Sequence, residues 1–479
     1  MYYKKNNYFL NYLKAVNKMN VLYEGDKRVK TVIGTKQVKP GVIYRWSDYA
    51  VPYSLDGVEY LYNNFTKKLC QLDSAMDVNA EARFTSDEIC LSPDLTQLVA
   101  DCFLVPEDKD ETETYTGFCK IARIMNNKSN GYKGFTILPT TACNARCVYC
   151  FEQGMKYVTM NDETVEQTIK FIKKVRNPEK KIHFHWFGGE PLVGEKIIDR
   201  ICGAMRESGI EFSSNIVTNS ALINEKNLKK MKDDWNVRSM QITLDGVEDE
   251  YNRRKNYYFN YDSAYWHVLS RIKMVNEQDI RISIRVNVDE ENIDGVLEMA
   301  EDLKNFIVKP ELVRIYLAPL FGLQASPDGI NIWKKSFDIC GGLEKLGFNV
   351  GYYYDVKYVK VNFCMADSVN KSIVISPEGM LHNCEHIGDI PPLGDVWHGV
   401  TNKELYDKLL SVEPVQDKCR GCFSLPNCTT FTGCDHVRID CRYTARKNME
   451  KILERHIRAL MKNEKAEEAD TEEFETENC

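Results

Sequence analysis

Three thiols stand close together at Cys143, Cys147 and Cys150, in the stretch TTACNARCVYCFE that follows an apolar run. Their C-x-x-x-C-x-x-C spacing offers three sulfurs from one short loop, and thiolates suit soft metals or iron-sulfur clusters. Three protein ligands leave one metal position free, and a free position is where chemistry happens. Two plainer readings are a zinc knuckle and three incidental buried cysteines. A closed tetrahedral zinc site needs a fourth ligand, which this loop lacks.

A second chemical signal lies in HWFGGEPL. Gly188 and Gly189 let backbone pass close to a ligand, and the Glu190 carboxylate can accept hydrogen bonds from a cationic amine. Cysteines return late in the chain at Cys364, Cys384, Cys419, Cys422, Cys428, Cys434 and Cys441. That density exceeds ordinary packing in a reducing compartment. CMADSVNKSIVISPEGMLHNC places Gly379 ahead of Cys384 as a hairpin turn would, and CRGCFSLPNC gives a C-x-x-C pair with a third cysteine. Structural zinc is the alternative there. Cys70, Cys90, Cys102 and Cys119 lack ligand spacing and read as packing residues. His183 and His185 alternate within one strand and read as packing or hydrogen-bonding groups. His382, His386 and His436 sit beside the late cysteines, in positions suited to second contacts or solvent.

Regular elements must carry these groups. Gly134 to Leu138, Ile182 to Phe187, Phe212 to Val217, Met240 to Leu244, Ile280 to Val288 and Val313 to Leu317 read as six strands. Helical patterns alternate with them, as in Thr164 to Val175 and Lys196 to Glu207. Strand-helix alternation implies a parallel sheet with right-handed crossovers, here a partial (β/α)₆ barrel with its chemistry beyond the carboxyl ends of the strands. Ahead of it, residues 1–130 form a small α+β module with a strand pair around Gly41 to Tyr53, helices at Val58 to Leu69 and Leu95 to Leu104, and an acidic linker in VPEDKDETET. The expected boundaries are 131–330 for the barrel, 331–445 for a cysteine-rich extension, 446–462 for a final helix and 463–479 for a disordered acidic tail. Ile452, His456 and Leu460 give that helix a packing face.

The net charge is −7, and the last 17 residues hold eight acids against Lys465, so the rest of the chain sums to about neutral. Neither half has the basic excess that nucleic-acid binding needs. No apolar run approaches membrane-spanning length and no signal-peptide core is visible, so the expectation is a cytoplasmic protein with no membrane partner. Seventeen cysteines in such a compartment favour metal ligation over disulfides.

The cysteine loop, with Tyr149 inside it, resembles the signature of the radical S-adenosylmethionine (SAM) enzymes. That resemblance implies a [4Fe-4S] cluster on Cys143, Cys147 and Cys150 whose fourth iron is chelated by SAM. Gly188, Gly189 and Glu190 resemble the family's GGE motif, which binds the SAM amino group. The segments VTN, QITLDG and RVNVD resemble the later strand ends of the family, which makes Asn219, Arg285 and Asn287 implied cofactor contacts. The late cysteines resemble the SPASM extension, which carries two auxiliary [4Fe-4S] clusters in enzymes that modify peptides and proteins. By that resemblance Cys419, Cys422, Cys428 and Cys441 hold one cluster and Cys364, Cys384 and Cys434 the other. Cys340 or an open iron completes the second. The start of the chain resembles a winged-helix-like module that recognises a leader peptide in such enzymes.

The family reading implies reductive cleavage of SAM to a 5′-deoxyadenosyl radical, a peptide or protein substrate, and an external one-electron donor such as flavodoxin or ferredoxin. The leading expectation is a maturase that installs a thioether or carbon-carbon crosslink. A rival within the family is the anaerobic sulfatase maturase, which makes formylglycine and places an Asp base where this chain has Glu385. A rival outside it is a non-catalytic metal-stabilised or electron-transfer protein, against which the GGEP segment weighs.

Overall fold

The computed structural model describes residues 19–33, 36–72, 81–127, 130–259, 261–320, 327–351, 356–359, 371–388, 391–411, 415, 417–423, 425–427 and 450–461. Cys364, Cys428, Cys434, Cys441, His436 and the acidic tail lie outside these residues.

The first part contains β1 (Met19–Tyr23), β2 (Ile43–Trp46), β3 (Ala50–Leu55), β4 (Val58–Asn63), β5 (Leu69–Leu72), β6 (Arg83–Thr85) and β7 (Leu104–Pro106). They form two antiparallel sheets, β1-β5-β4-β3 and β6-β2-β7. The strands expected around Gly41 to Tyr53 therefore exist as β2 and β3, in separate sheets. The helix expected at Val58 to Leu69 is instead β4, because Asp56 and Gly57 both take positive φ (53° and 80°) between paired Leu55 and Val58. Two such residues make the tight turn that matches strand twist. The second expected helix runs over Pro93–Ala100, and Leu104 opens β7. The acidic run does not act as a linker; it starts the helix Glu111–Asn127, where carboxylates suit the positive end of the helix dipole. Buried Glu111 accepts hydrogen bonds from Ser47 Oγ (2.6 Å) and Asp48 N (2.7 Å).

All six predicted barrel strands are present: β8 (Gly134–Ile137), β9 (Ile182–Trp186), β10 (Phe212–Thr218), β11 (Val237–Thr243), β12 (Arg281–Val288) and β13 (Val313–Pro319). They pair in chain order and in parallel. Alternation divides the two faces. Ile182, Phe184 and Trp186 of β9 are fully buried under the helices, while His183 and His185 point the other way, into the barrel. The helix Asp162–Val175 buries Val165, Phe171 and Ile172, and the helix Glu195–Glu207 buries Ile197, Ile198, Ile201, Cys202 and Met205. Each such side chain removed from water stabilises the fold by roughly 1.5–3 kcal/mol.

The sheet continues at both edges. β14 (Asn349–Gly351) joins β13, and β15 (Ser372–Ile375) pairs in parallel with β8 before the meander of β16 (Met380–His382), β17 (Gly394–Asp395) and β18 (Gly399–Val400). Gly379 turns the β15–β16 hairpin at φ +81°. The helix at 450–461 packs Ile452, Leu453 and Ile457 onto Val51, Leu55, Tyr60, Tyr62 and Leu69 of the first sheet. No described helix is long and apolar enough to cross a membrane.

Candidate cluster and cofactor site

The loop after β8 is closed at its base by threonine. Thr140 Oγ1 donates to Val158 O (2.9 Å), and Thr141 Oγ1 donates to Lys156 O (2.9 Å) while Thr141 N donates to Val158 O (2.8 Å). A strap from the end of the helix Glu248–Lys255 holds the other side. Arg146 N donates to Lys255 O (3.0 Å), and Val148 N donates to Arg254 O (3.1 Å). Asn256 ends that helix in the left-handed conformation, which turns the chain under the loop.

Cys143, Cys147 and Cys150 are free thiols, partly exposed, and all three line one cavity of about 630 Å³. Gly188 and Gly189 pass directly behind them. A Cβ on Gly189 would sit 2.5 Å from both Thr141 O and Ala142 O, and one on Gly188 would sit 2.5 Å from Thr140 O with φ at +108°. Only glycine lets β9 and the loop approach this closely. Tyr149, Asn219, Arg285 and Asn287 also line the cavity, so the structure brings these expected contacts together. Asn219 Nδ2 donates to Asn144 Oδ1 (2.7 Å), and Asn144 Nδ2 is buried without a hydrogen-bond acceptor among the described residues.

Glu190 behaves differently from the expectation. Its side chain is fully buried and does not line the cavity. The carboxylate accepts from Thr218 Oγ1 (2.8 Å), Leu192 N (3.1 Å) and Asn219 N (2.8 Å), so it positions Asn219 rather than facing a ligand amine. Burial pushes its carboxyl up to about 7, opposed by those three hydrogen bonds. Burial also raises the Cys143 thiol to about 12, with the Glu190 charge adding to it.

Glu385 reaches the same cavity from the extension. Its Oε1 lies 3.3 Å from His185 Nε2, while His185 Nδ1 lies 2.8 Å from Asn215 Oδ1. Because Asn215 Oδ1 also faces His183 Nε2 at 3.0 Å, both histidines act as hydrogen-bonding groups, as their alternation implied. Burial alone would lower the His185 pKa; the Glu385 carboxylate outweighs it and holds His185 above its ordinary value. His386 packs on Phe151 with ring centres 4.5 Å apart.

The remaining described cysteines are dispersed. Cys384 follows β16, with His386 N 3.5 Å from its sulfur. Cys419 and Cys422 share a turn, and Cys419 is buried in an apolar cluster with Val29, Tyr49, Phe65 and Tyr115. Cys340, on the helix Pro327–Lys345, is buried in the barrel's hydrophobic core, where burial raises its thiol to about 12. Cys70, Cys102 and Cys119 are buried as expected, whereas Cys90 is exposed.

Two site residues had little sequence signal. Asp245 lies inside the QITLDG strand end but is fully buried, and Lys255 sits in the charged run RRKN, which reads as surface. Lys255 Nζ is 3.0 Å from Asp245 Oδ2 and donates to Tyr149 Oη at 2.8 Å. Burial would push the Lys255 amine down; the Asp245 carboxylate outweighs it and holds the amine well above its ordinary range.

The matched family model is the radical SAM superfamily, over residues 137–303. The matched stretch takes in the cysteine loop and strands β9 to β12. A GTP 3′,8-cyclase of Clostridium perfringens is 25% identical over 267 residues, 52% of this chain and 78% of that protein. An uncharacterized protein of Methanocaldococcus jannaschii is 29% identical over 121 residues, 25% of this chain, and the match spans only 41% of that relative. Native anSMEcpe with bound AdoMet superposes with a TM-score of 0.53 at 17% identity, covering 69% of this chain and 98% of that one. The same protein with AdoMet and the Cp18Cys peptide gives 0.52 at 17% identity, with the same coverage. The fold is the radical SAM α/β fold.

The matched family implies a [4Fe-4S] cluster and SAM, and the residues of the cavity fit them. Three thiols lining one cavity can each take one iron of such a cluster. The Gly188-Gly189 cradle and the unpaired Asn144 amide lie beside them.

Proposed function

We propose that this protein is a radical SAM maturase that forms a thioether or carbon-carbon crosslink in a ribosomally made peptide or protein. The observation that carries this reading is Glu385. The chain immediately after Cys384 enters the cavity lined by the three cysteines and completes its wall, so the extension and the barrel share one reaction chamber. With cluster and SAM bound, the site supplies an electron and, by reductive cleavage, a hydrogen-abstracting 5′-deoxyadenosyl radical.

The chain's own residues then orient and protect. Gly188 and Gly189 bring backbone against the cofactor, Asn219 is fixed by Glu190, and Arg285 Nε donates to Asn287 Oδ1 at 2.8 Å, leaving a polar wall suited to peptide amides. Glu385, steadied by His185, takes the proton released as the new bond closes. The peptide-bound form of anSMEcpe supports a peptide partner. Cys384, Cys419 and Cys422 would hold auxiliary clusters with the other late cysteines, which would supply an acceptor for the electron left as the bond closes, and an external one-electron donor would feed the first cluster.

A second reading, formylglycine formation, is favoured by the position of the Glu385 carboxylate, since that reaction also needs a base at this wall. One experiment tests both. The anaerobically reconstituted enzyme is given SAM, dithionite and candidate peptides. 5′-Deoxyadenosine together with a peptide lighter by two hydrogens that carries no hydrazine-reactive aldehyde supports crosslinking, and conversion of a Cys or Ser side chain to an aldehyde supports the second reading. Intact SAM with bound zinc would remove both.

A further inference from the structure

Beneath the cysteine loop lies an oriented ion pair that the proposed reaction does not use. Lys255 ends the helix Glu248–Lys255 and is buried, with Nζ 3.0 Å from Asp245 Oδ2 and 2.8 Å from Tyr149 Oη. Asp245 is fully buried beyond β11. Its Oδ1 accepts from Asn287 N at 3.0 Å, and its Oδ2 also accepts from the Tyr149 hydroxyl. The cationic end faces the site: Lys255 lines the cavity with the three cysteines, and Asp245 does not. Lys255 Nζ also lies 5.4 Å from the ring centre of Tyr149 and 5.8 Å from that of Tyr251, an electron-rich setting for a cation. A buried ion pair contributes little net stability over an apolar pair of the same size, so stability is a weak reason for its presence. The other cations lining the cavity are Arg146, set between the rings of Tyr157 and Tyr258, and Arg285, which donates to Asn287.

We infer that Lys255, anchored by Asp245, is a positioning residue that presents a fixed positive charge to a cluster held by Cys143, Cys147 and Cys150 and thereby eases its reduction. This rests on the reading that the loop holds a [4Fe-4S] cluster. Three thiolates leave such a cluster's surroundings negative, and one added electron increases that charge. A neighbouring cation in a low-dielectric site stabilises the reduced state more than the oxidised one. Asp245, set further back, acts in the opposite sense. Tyr149, between Cys147 and Cys150, ties the loop to the pair through its hydroxyl.

The test is a potentiometric titration of the reconstituted full-length protein, followed by electron paramagnetic resonance of the cluster whose signal changes on adding SAM. Iron and sulfide are counted in the same samples. Lys255→Met should lower the midpoint, reducing the reduced-to-oxidised ratio at fixed potential about tenfold, or 59 mV for one electron. Asp245→Asn should raise it, and Lys255→Arg should stay near wild type. Shifts of opposite sign are what a purely structural tie cannot produce. Shifts of the same sign, or unmoved midpoints with full iron, overturn the inference. If Lys255→Met loses iron, the double variant Lys255→Met/Asp245→Asn decides, because it buries no lone charge. Restored iron with a lowered midpoint supports the inference; restored iron at the wild-type midpoint, or iron lost again, overturns it. Wild-type protein with no SAM-sensitive iron-sulfur signal would remove the cluster reading itself.

Discussion

Replacing Gly189 with alanine adds one methyl group at the tightest point of the site. That carbon would lie 2.5 Å from Thr141 O and Ala142 O and 2.7 Å from Ala142 C, where contacts under 3.0 Å essentially never occur. All three atoms are backbone, so no side chain can swing away. The end of β9 and the cysteine loop must separate by roughly half an ångström or more, against the bonds Gly189 N to Thr140 O (3.2 Å) and Glu190 N to Ala142 O (3.0 Å). Overpacking of this kind costs about 1–3 kcal/mol of stability. A displacement approaching 1 Å at a reacting centre costs on the order of 10²-fold in rate, so Gly189→Ala should slow 5′-deoxyadenosine formation about 10- to 100-fold, or roughly 1.4–2.7 kcal/mol of barrier. Gly203→Ala is the control: it lies in the helix Glu195–Glu207 with nothing within 4 Å of its would-be Cβ, and alanine there should stabilise by about 0.5–1 kcal/mol. Thermal unfolding and anaerobic SAM-cleavage assays of both variants decide the matter. If Gly189→Ala matches Gly203→Ala in stability and rate, close approach of these two segments does not set the site.

Cys147→Ala should abolish SAM cleavage while leaving most iron bound elsewhere; loss of all iron on elemental analysis would point to a single shared structural site. Glu385→Gln should lower the His185 pKa, read by imidazole resonances in a pH titration. Because the folded-state pKa of His185 lies above 6.5, the pairing contributes stability that is full below about pH 6.5 and is lost as pH rises through the folded value. Stability of the variant should therefore vary less over that window, and an unchanged dependence would count against the pairing. Ile457→Ala, at a fully buried position, should cost about 2–5 kcal/mol and speed hydrogen exchange in both 450–461 and β3. Exchange that speeds in the helix alone would mean that the sheet does not depend on it.

The barrel was legible because its strands are buried on one face by β-branched and aromatic residues, a pattern set by local sequence, as in Ile182, Phe184 and Trp186. The cysteine loop and the paired glycines were legible because ligand spacing and backbone freedom leave marks in a few adjacent residues. What failed to show was mostly non-local. Glu190 reads as an available carboxylate, yet Thr218, Leu192 and Asn219 consume it from an adjoining strand and turn. Lys255 sits in a charged helix end that reads as surface, yet both it and Arg254 are buried where the chain returns under the loop. β4 was the avoidable miss, since Asp56-Gly57 between apolar runs is a strong hairpin signal.

The same non-local logic explains why the two ends of the chain resist separation. Expected boundaries at 130 and 331 divide the sequence, yet Val29, Tyr49, Phe65 and Tyr115 share one apolar cluster with Cys419 and Leu425. Polar contacts reinforce it: Asn64 Nδ2 donates to Phe423 O (2.6 Å), Gly421 N to Thr112 Oγ1 (3.0 Å), and Arg420 pairs with Asp110 at 2.9 Å. The helix at 450–461 packs on β3, β4 and β5. The extension meanwhile adds β15 to β8, the strand that leads into the cysteine loop. A displacement in the first sheets is therefore transmitted through packed side chains to the turn that carries Cys419 and Cys422, because close-packed interiors pass strain on rather than absorb it. The described part of the extension is held between the first sheets and the barrel, and the placement of Cys384, Cys419 and Cys422 depends on both.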